Sequence, residues 1–256
     1  MPIEGNLEYA LARVHARQGQ RLDALDWHRL EAARDLGLYL AGLRATALAD
    51  WVGAFDAEYD CHTFERSLRA RWRRYVDAVT SWHPLAFQAW LAWLAWLPEL
   101  SLLSQLARPE PAPAWMLADP VYGPVAPGTP VERAAALANT ALAPLARGLI
   151  SGTSAATAWA QHWHALRPRL EGRTQSYLAR LLRVVERHEQ DLQHASDSSE
   201  LLRSELAGRI QRLLRLAAGT VIVSVCHLAL VALDLERLRG GLARRCLFGA
   251  QQSEHL

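Results

Sequence analysis

The sequence predicts an all-α protein, a multi-helix bundle with a long antiparallel helical hairpin in its C-terminal half. Three observations carry this. Apolar residues recur three and four positions apart along most of the chain, no stretch alternates as a half-buried strand would, and capping signatures stand ahead of two of the periodic runs. With 256 residues, 51% of them hydrophobic and 21% charged, the chain has enough apolar material for one large or two modest helical cores.

From Leu7 to Ala54 the periodic positions include Leu11, Val14, Leu25, Leu30, Leu36, Leu40 and Leu43, with breaks expected near Gln18 to Arg21 and near Gly37, so several short helices are predicted. Asp60 to Trp82 reads as one longer helix with Phe64, Leu68, Trp72, Tyr75, Val76 and Val79 on one side, stopped by His83-Pro84. Leu85 to Leu97 is short and dominated by Trp90, Trp93 and Trp96. Pro98 suits the first turn of a further helix ending near Ala107.

Seven of the twelve prolines fall between Pro109 and Pro130, a composition that sustains neither helix nor central strand. Thr129-Pro130-Val131-Glu132 then supplies an N-cap, Pro at the first helical position and Glu at the third, opening a helix expected to reach about Leu149. After a break at Ile150 to Ser154, helices are predicted over Ala155 to Leu166 and Arg169 to His194. Asp197-Ser198-Ser199-Glu200 is a second capping box, and the apolar pattern behind it runs to a stop at Gly240-Gly241. The expected organisation is an N-terminal helical region 1–107, a proline-rich linker or loop 108–131, a C-terminal helical region 132–249 and a tail 250–256.

All 28 basic residues are Arg. Without lysine, a phosphate-binding P-loop, a pyridoxal Schiff base and a Schiff-base aldolase are excluded. A net charge of +2 gives no field that argues for nucleic acid. Cys61, Cys226 and Cys246 form no C-x-x-C pair and fit reduced thiols of a cytoplasmic protein, and the N-terminus carries no basic-then-apolar signal.

The clusters that invite a chemical reading each have a simpler one. His162 and His164 diverge by about 200° on a helix and cannot share a metal, and His188-Glu189 with His194 misses the H-E-x-x-H spacing. Cys61-His62 and Cys226-His227 are sequence neighbours that point apart on a helix. Ala217 to Leu233 is about as long as the shortest bilayer-crossing helix, but it continues the stripe of the polar turns before it and reads first as core, with no transmembrane helix expected. The Trp90-Trp93-Trp96 stripe reads first as core, and otherwise as an anchor for a partner or for a membrane interface. Arg69 to Arg74 reads as a solvated helical face with Glu65 paired to Arg69. No catalytic residue, metal ligand, cofactor or small-molecule substrate is therefore predicted.

Leu7-Glu8-Tyr9-Ala10-Leu11-Ala12-Arg13-Val14-His15-Ala16-Arg17, the Leu43-Arg44-Ala45-Thr46 that follows, Cys61 to Arg69 with Tyr75, and Leu233-Asp234-Leu235-Glu236-Arg237-Leu238-Arg239 together resemble the central-stalk subunit family of V-type and A-type ATPases, whose members occur in eukaryotes, archaea and bacteria. The likeness covers roughly the first 80 and last 40 residues. The family's internal threefold repeat is not visible and the Trp-rich segment is foreign to it, so the resemblance is to a divergent member. It implies a non-catalytic bacterial subunit, peripheral on the cytoplasmic face of the membrane, that couples a membrane rotor ring to a soluble central shaft in ion transport. The alternative is a helical adaptor or scaffold of an unrelated assembly. Candidate partner-interface residues are Tyr9, Arg13, Glu65, Arg69, Arg73, Trp93, Glu236 and Arg239.

Overall fold

A computed structural model describes residues 6–194 and 199–248. Among them the regular structure is helical and contains no strand, so the all-α class holds. The second capping box of the sequence and the tail beyond residue 249 lie wholly or partly outside the described residues.

The first helices are short because polar turns interrupt them. Helix α1 (Leu7–Gln18) is capped by Asn6, α2 (Ala24–Glu31) by a reciprocal Asp23–Asp26 capping box, and α3 (Leu36–Arg44) by Asp35. The second break therefore falls before Asp35 and not at Gly37, which sits inside α3, because the Asp35 carboxylate meets the Leu38 amide and starts the helix there. After the single turn α4 (Ala49–Val52), Asp60 caps α5 (Cys61–Ser81), which buries Phe64, Leu68, Trp72, Val76 and Val79.

Helix α6 (Leu85–Ala92) passes into a 3₁₀ helix η1 (Trp93–Glu99) and then α7 (Leu100–Leu106). Pro98 lies within the 3₁₀ segment and does not open the next helix. The single turn α8 (Ala114–Leu117) follows, and the predicted Thr129–Glu132 capping box opens α9 (Pro130–Leu137). That helix stops twelve residues short of the expected end. Asn139 and Thr140 form a turn, and Pro144 in the first turn of α10 (Ala143–Ser151) starts a new helix where it cannot continue the old one. Gly152, with φ +73°, ends α10 in the left-handed conformation. Then come α11 (Ala155–Leu166), α12 (Gly172–His194), α13 (Ser199–Leu216) and α14 (Ile222–Phe248).

The expected single helix behind residue 199 is thus two. A turn at Ala217 to Val221, with Gly219 at φ +81°, separates α13 from α14. At the other end Gly240-Gly241 does not stop the helix. Gly241 faces the buried Tyr39 ring so closely that a Cβ would stand 2.9 Å from its Cζ, which makes it a packing glycine inside α14.

The chain forms two compact units, residues 1–88 with 169–256, and residues 89–168. In the first, α14 packs against α13, α5, α1, α3 and α12, and its segment from Val221 to Val231 is buried at nearly every position. Among the described residues no helix is long and apolar enough to cross a membrane. The Ala217 to Leu233 stretch is core: burying each of its large aliphatic side chains contributes about 1.5–3 kcal/mol.

The second unit contains residues 108–131, which were expected to lie between domains. Prolines supply no N–H, so the carbonyls of this segment need other donors. Arg133, 1% exposed, provides them: its guanidinium donates to the carbonyls of Ala126, Leu106, Arg108 and Glu110. A Cβ at Gly123 would stand 2.8 Å from the Asp119 carbonyl, so this turn closes only around glycine. The tryptophans hold the rest. Trp90, Trp163 and Trp159 stack at centroid distances of 4.9 and 5.8 Å, and Trp93 and Trp159 exchange indole-to-carbonyl hydrogen bonds of 3.2 Å.

Candidate functional site

Two places in the first unit gather groups able to do something other than pack. One is a half-buried polar chain between α1, α5, α13 and α14, with His227 as its buried member. Arg21 donates from Nε to Asp234 Oδ2 at 2.6 Å and from a terminal nitrogen to Oδ1 at 2.8 Å, a two-point contact that suits the planar guanidinium. It also donates to Gln211 Oε1, which accepts the Gln18 amide nitrogen as well.

Those bonds fix the protons further along. Because a guanidinium only donates, Gln211 presents its oxygen; Gln18 must then donate through nitrogen, leaving its own oxygen for His227 Nδ1 at 2.8 Å. His227 is therefore protonated on Nδ1, and its Nε2 accepts from the Tyr75 hydroxyl at 2.7 Å. Burial, reinforced by Arg21, Arg17 and His15, pushes His227 down to about 3, and burial pushes Tyr75 up to about 12. Both stay neutral near pH 7. The adjoining recess, lined by Tyr75, His227, Trp51 and Asp234 among others, holds about 60 Å³, room for a water or two and not for an organic substrate. The arrangement is a locked hydrogen-bond chain.

His83 is held in the same way, with Nδ1 donating to the Val79 carbonyl and Nε2 accepting from Ser224. Cys226 is fully buried and pushed up to about 12 by desolvation, so it stays a thiol. Its neighbour His227 has both nitrogens engaged elsewhere. No group of three His, Cys, Asp or Glu is arranged to hold a metal ion among the described residues.

The second place is open. A groove of about 760 Å³ runs along α12, lined by Ser176, Tyr177, Arg180, Arg183, Val184 and Arg187, with Arg209 of α13 on its far wall. Its lining holds four arginines and no carboxylate. At one end Arg173 donates to the Tyr177 hydroxyl at 3.0 Å and covers its ring. At the other, Arg209 is paired with Glu205 at 3.1 Å and Asp191 at 3.8 Å. Between these closed ends Arg180 and Arg187 are exposed and engage no partner among the described residues. Arg183 makes one long bond to the Ala179 carbonyl.

The partner-interface residues read from the sequence are placed as follows. Tyr9 is exposed on α1 and accepts from Arg13, whose guanidinium lies 4.3 Å over the Trp82 ring. Glu65 accepts from Arg239 and stands 4.0 Å from Arg69, and Arg239 also donates to Glu236, so these four residues form one α5–α14 ion network. Arg69 is buried and Arg73 half-buried. Trp93 is buried in the second unit against Trp159 and His162. The surface left by this set is Tyr9 with Arg13 and the outer edge of the Glu65–Arg239–Glu236 network.

The groove was not read from the sequence, although a signal was there. Ser176, Arg180, Arg183 and Arg187 repeat at four, three and four, the spacing of one helical face, and Leu178, Leu181, Val185 and His188 mark a different face. No protein-family model, no curated protein and no solved structure matches the chain.

Proposed function

We propose that the chain is a non-catalytic helical adaptor or coupling protein that engages another protein through the arginine-lined groove of α12. The groove carries the reading: it sets exposed guanidinium groups in an open channel, whereas the titratable cluster of the same unit is closed into internal bonds. Exposed guanidinium groups with no carboxylate in the lining are free to exchange water for the two-point contact of an outside carboxylate.

A narrower reading is the coupling component of a rotary ATPase, linking a membrane rotor ring to the central shaft. One observation favours it. The segments that carry the resemblance lie in α1, at the end of α3, in α5 and in α14, far apart in sequence, and α1, α3 and α5 each pack on α14.

Capture of the tagged chain from gently solubilised native membranes tests both. The adaptor reading expects a stoichiometric protein partner that is lost from an Arg180→Gln/Arg187→Gln variant. Recovery of ATPase head and ring proteins supports the narrower reading, and a reproducible partner without them ends it. A partner retained by the double variant overturns the groove as the site of engagement.

A further inference from the structure

We infer that the partner segment seated in the α12 groove is an acidic helix, a proposal that rests on the adaptor reading and adds the chemistry of the occupant. Arg180, Arg183 and Arg187 advance by three and four residues, so their heads lie in a row about 10 Å long, two turns of helix. A second helix laid along α12 offers carboxylates at the same three-and-four spacing, one for each guanidinium. Each such contact can be two-pronged.

Val184 and Tyr177 lie in the same lining and are only partly covered, so the occupant also meets an apolar edge. An amphipathic helix with Glu or Asp on one strip and an aliphatic residue on the next satisfies both. The length of the site is set by its ends, where Arg173 is committed to Tyr177 and Arg209 to Glu205 and Asp191.

Those ends also discriminate between polyanions. A nucleic-acid backbone needs positive charge that continues for many phosphates. Here Asp191 and Glu205 stand at one end of a short row, and the whole chain carries only +2. A discrete acidic helix ends where the arginines end.

The test uses the full chain and a fluorescent helical peptide of about 20 residues with Glu at successive three- and four-residue steps and Leu on the adjacent strip. The probes beside it are a scrambled peptide of equal composition and a DNA duplex of about 20 base pairs. The patterned peptide is expected to bind saturably and more weakly as salt rises. Arg180→Gln/Arg187→Gln is expected to weaken binding roughly tenfold, while Arg212→Gln/Arg215→Gln, which removes the same charge from outside the groove lining, leaves it unchanged.

Because Arg180, Arg187, Arg212 and Arg215 are exposed, both variants are expected to fold, which circular dichroism checks directly. A charge-swapped pair, Arg180→Glu/Arg187→Glu with Lys replacing Glu in the peptide, is expected to restore binding. Equal binding of patterned and scrambled peptides, tighter binding of the duplex, or no binding of the patterned peptide overturns the proposal. If a protein partner still depends on Arg180 and Arg187 while the patterned peptide stays unbound, the adaptor reading survives and the acidic helix falls.

Discussion

Arginines do opposite things in the interior of this chain and along α12. Arg21, Arg133 and Arg245 are turned inward onto a carboxylate or onto backbone carbonyls: Arg245 donates to the carbonyls of Ala33, Gly241 and Glu31 and lies 3.8 Å over the Tyr39 ring. Arg180 and Arg187 reach into open space. The side chain is the same, and the surroundings differ: inside, the planar fork bonds a carboxylate or backbone carbonyls, and outside, it is left to solvent. An inward arginine in this fold therefore bears on stability, and the exposed row is where the proposed partner would act.

The largest effect tests the inward group. Arg21→Ala leaves Asp234, mostly buried, without its counter-charge, and is expected to lower unfolding stability in urea by about 3 kcal/mol. Desolvation already outweighs the pull of Arg21 and raises the Asp234 carboxyl above its ordinary value. Replacing both partners, Arg21→Leu/Asp234→Leu, is accordingly expected to cost far less than the single change. A single variant as mild as a surface substitution would place Arg21 with the groove arginines and erase the contrast.

The pH dependence follows from the same cluster. The folded value of His227, about 3, lies below its ordinary 6.5, so the folded state binds fewer protons than the unfolded state between them. Stability from this group is complete above about 6.5 and declines by about 1.4 kcal/mol per pH unit as the solution is acidified towards 3. His83 and His188 are also lowered by burial and act in the same direction; Asp234, raised, acts oppositely, its contribution falling as pH rises above the ordinary carboxyl range. Melting temperature against pH is expected to fall less steeply in His227→Gln than in the native chain. Equal slopes would show that His227 takes up its proton in the folded chain as readily as in the unfolded one.

A pair of adjacent glycines sharpens the inside-outside contrast on one helix. Gly241→Ala drives a Cβ against the buried Tyr39 ring and is expected to cost about 1–3 kcal/mol. Gly240→Ala meets nothing within 4 Å on the exposed side and is expected to stabilise α14 by up to about 1 kcal/mol. Thermal melts of the two single variants should move in opposite directions.

This pair also marks where sequence reading ran out. Gly-Gly looks like a helix stop because local propensity is all that a sequence displays there, and what calls for a glycine at 241 inside α14 is a tyrosine some two hundred positions away. The α5 helix and the Thr129–Glu132 box were legible because their causes are local. The proline-rich stretch looked like a linker for the same reason: its composition excludes helix and strand, but only the fold brings Arg133 to its carbonyls. Trp90 was readable as aromatic core, and its stacking partner Trp163 was not, since the pairing is a tertiary fact. Of the eight interface residues, Trp93 and Arg69 are turned inward by packing that no spacing reveals.

The smallest expected effect is the one that separates binding from stability. Arg180→Gln/Arg187→Gln removes two exposed guanidinium groups that make no ion pair among the described residues, so the urea midpoint is expected to shift by no more than about 0.5 kcal/mol in equivalent stability. The two charges stand three and four residues from Arg183 on the same face, and relieving that like-charge repulsion favours a slight gain over a loss. A clear loss would mean that the groove arginines support the α12–α13 packing itself, and the row would then belong with Arg21 and Arg133. A neutral or stabilising result leaves a charged row that the fold does not require, which is the condition a surface kept for a partner must meet.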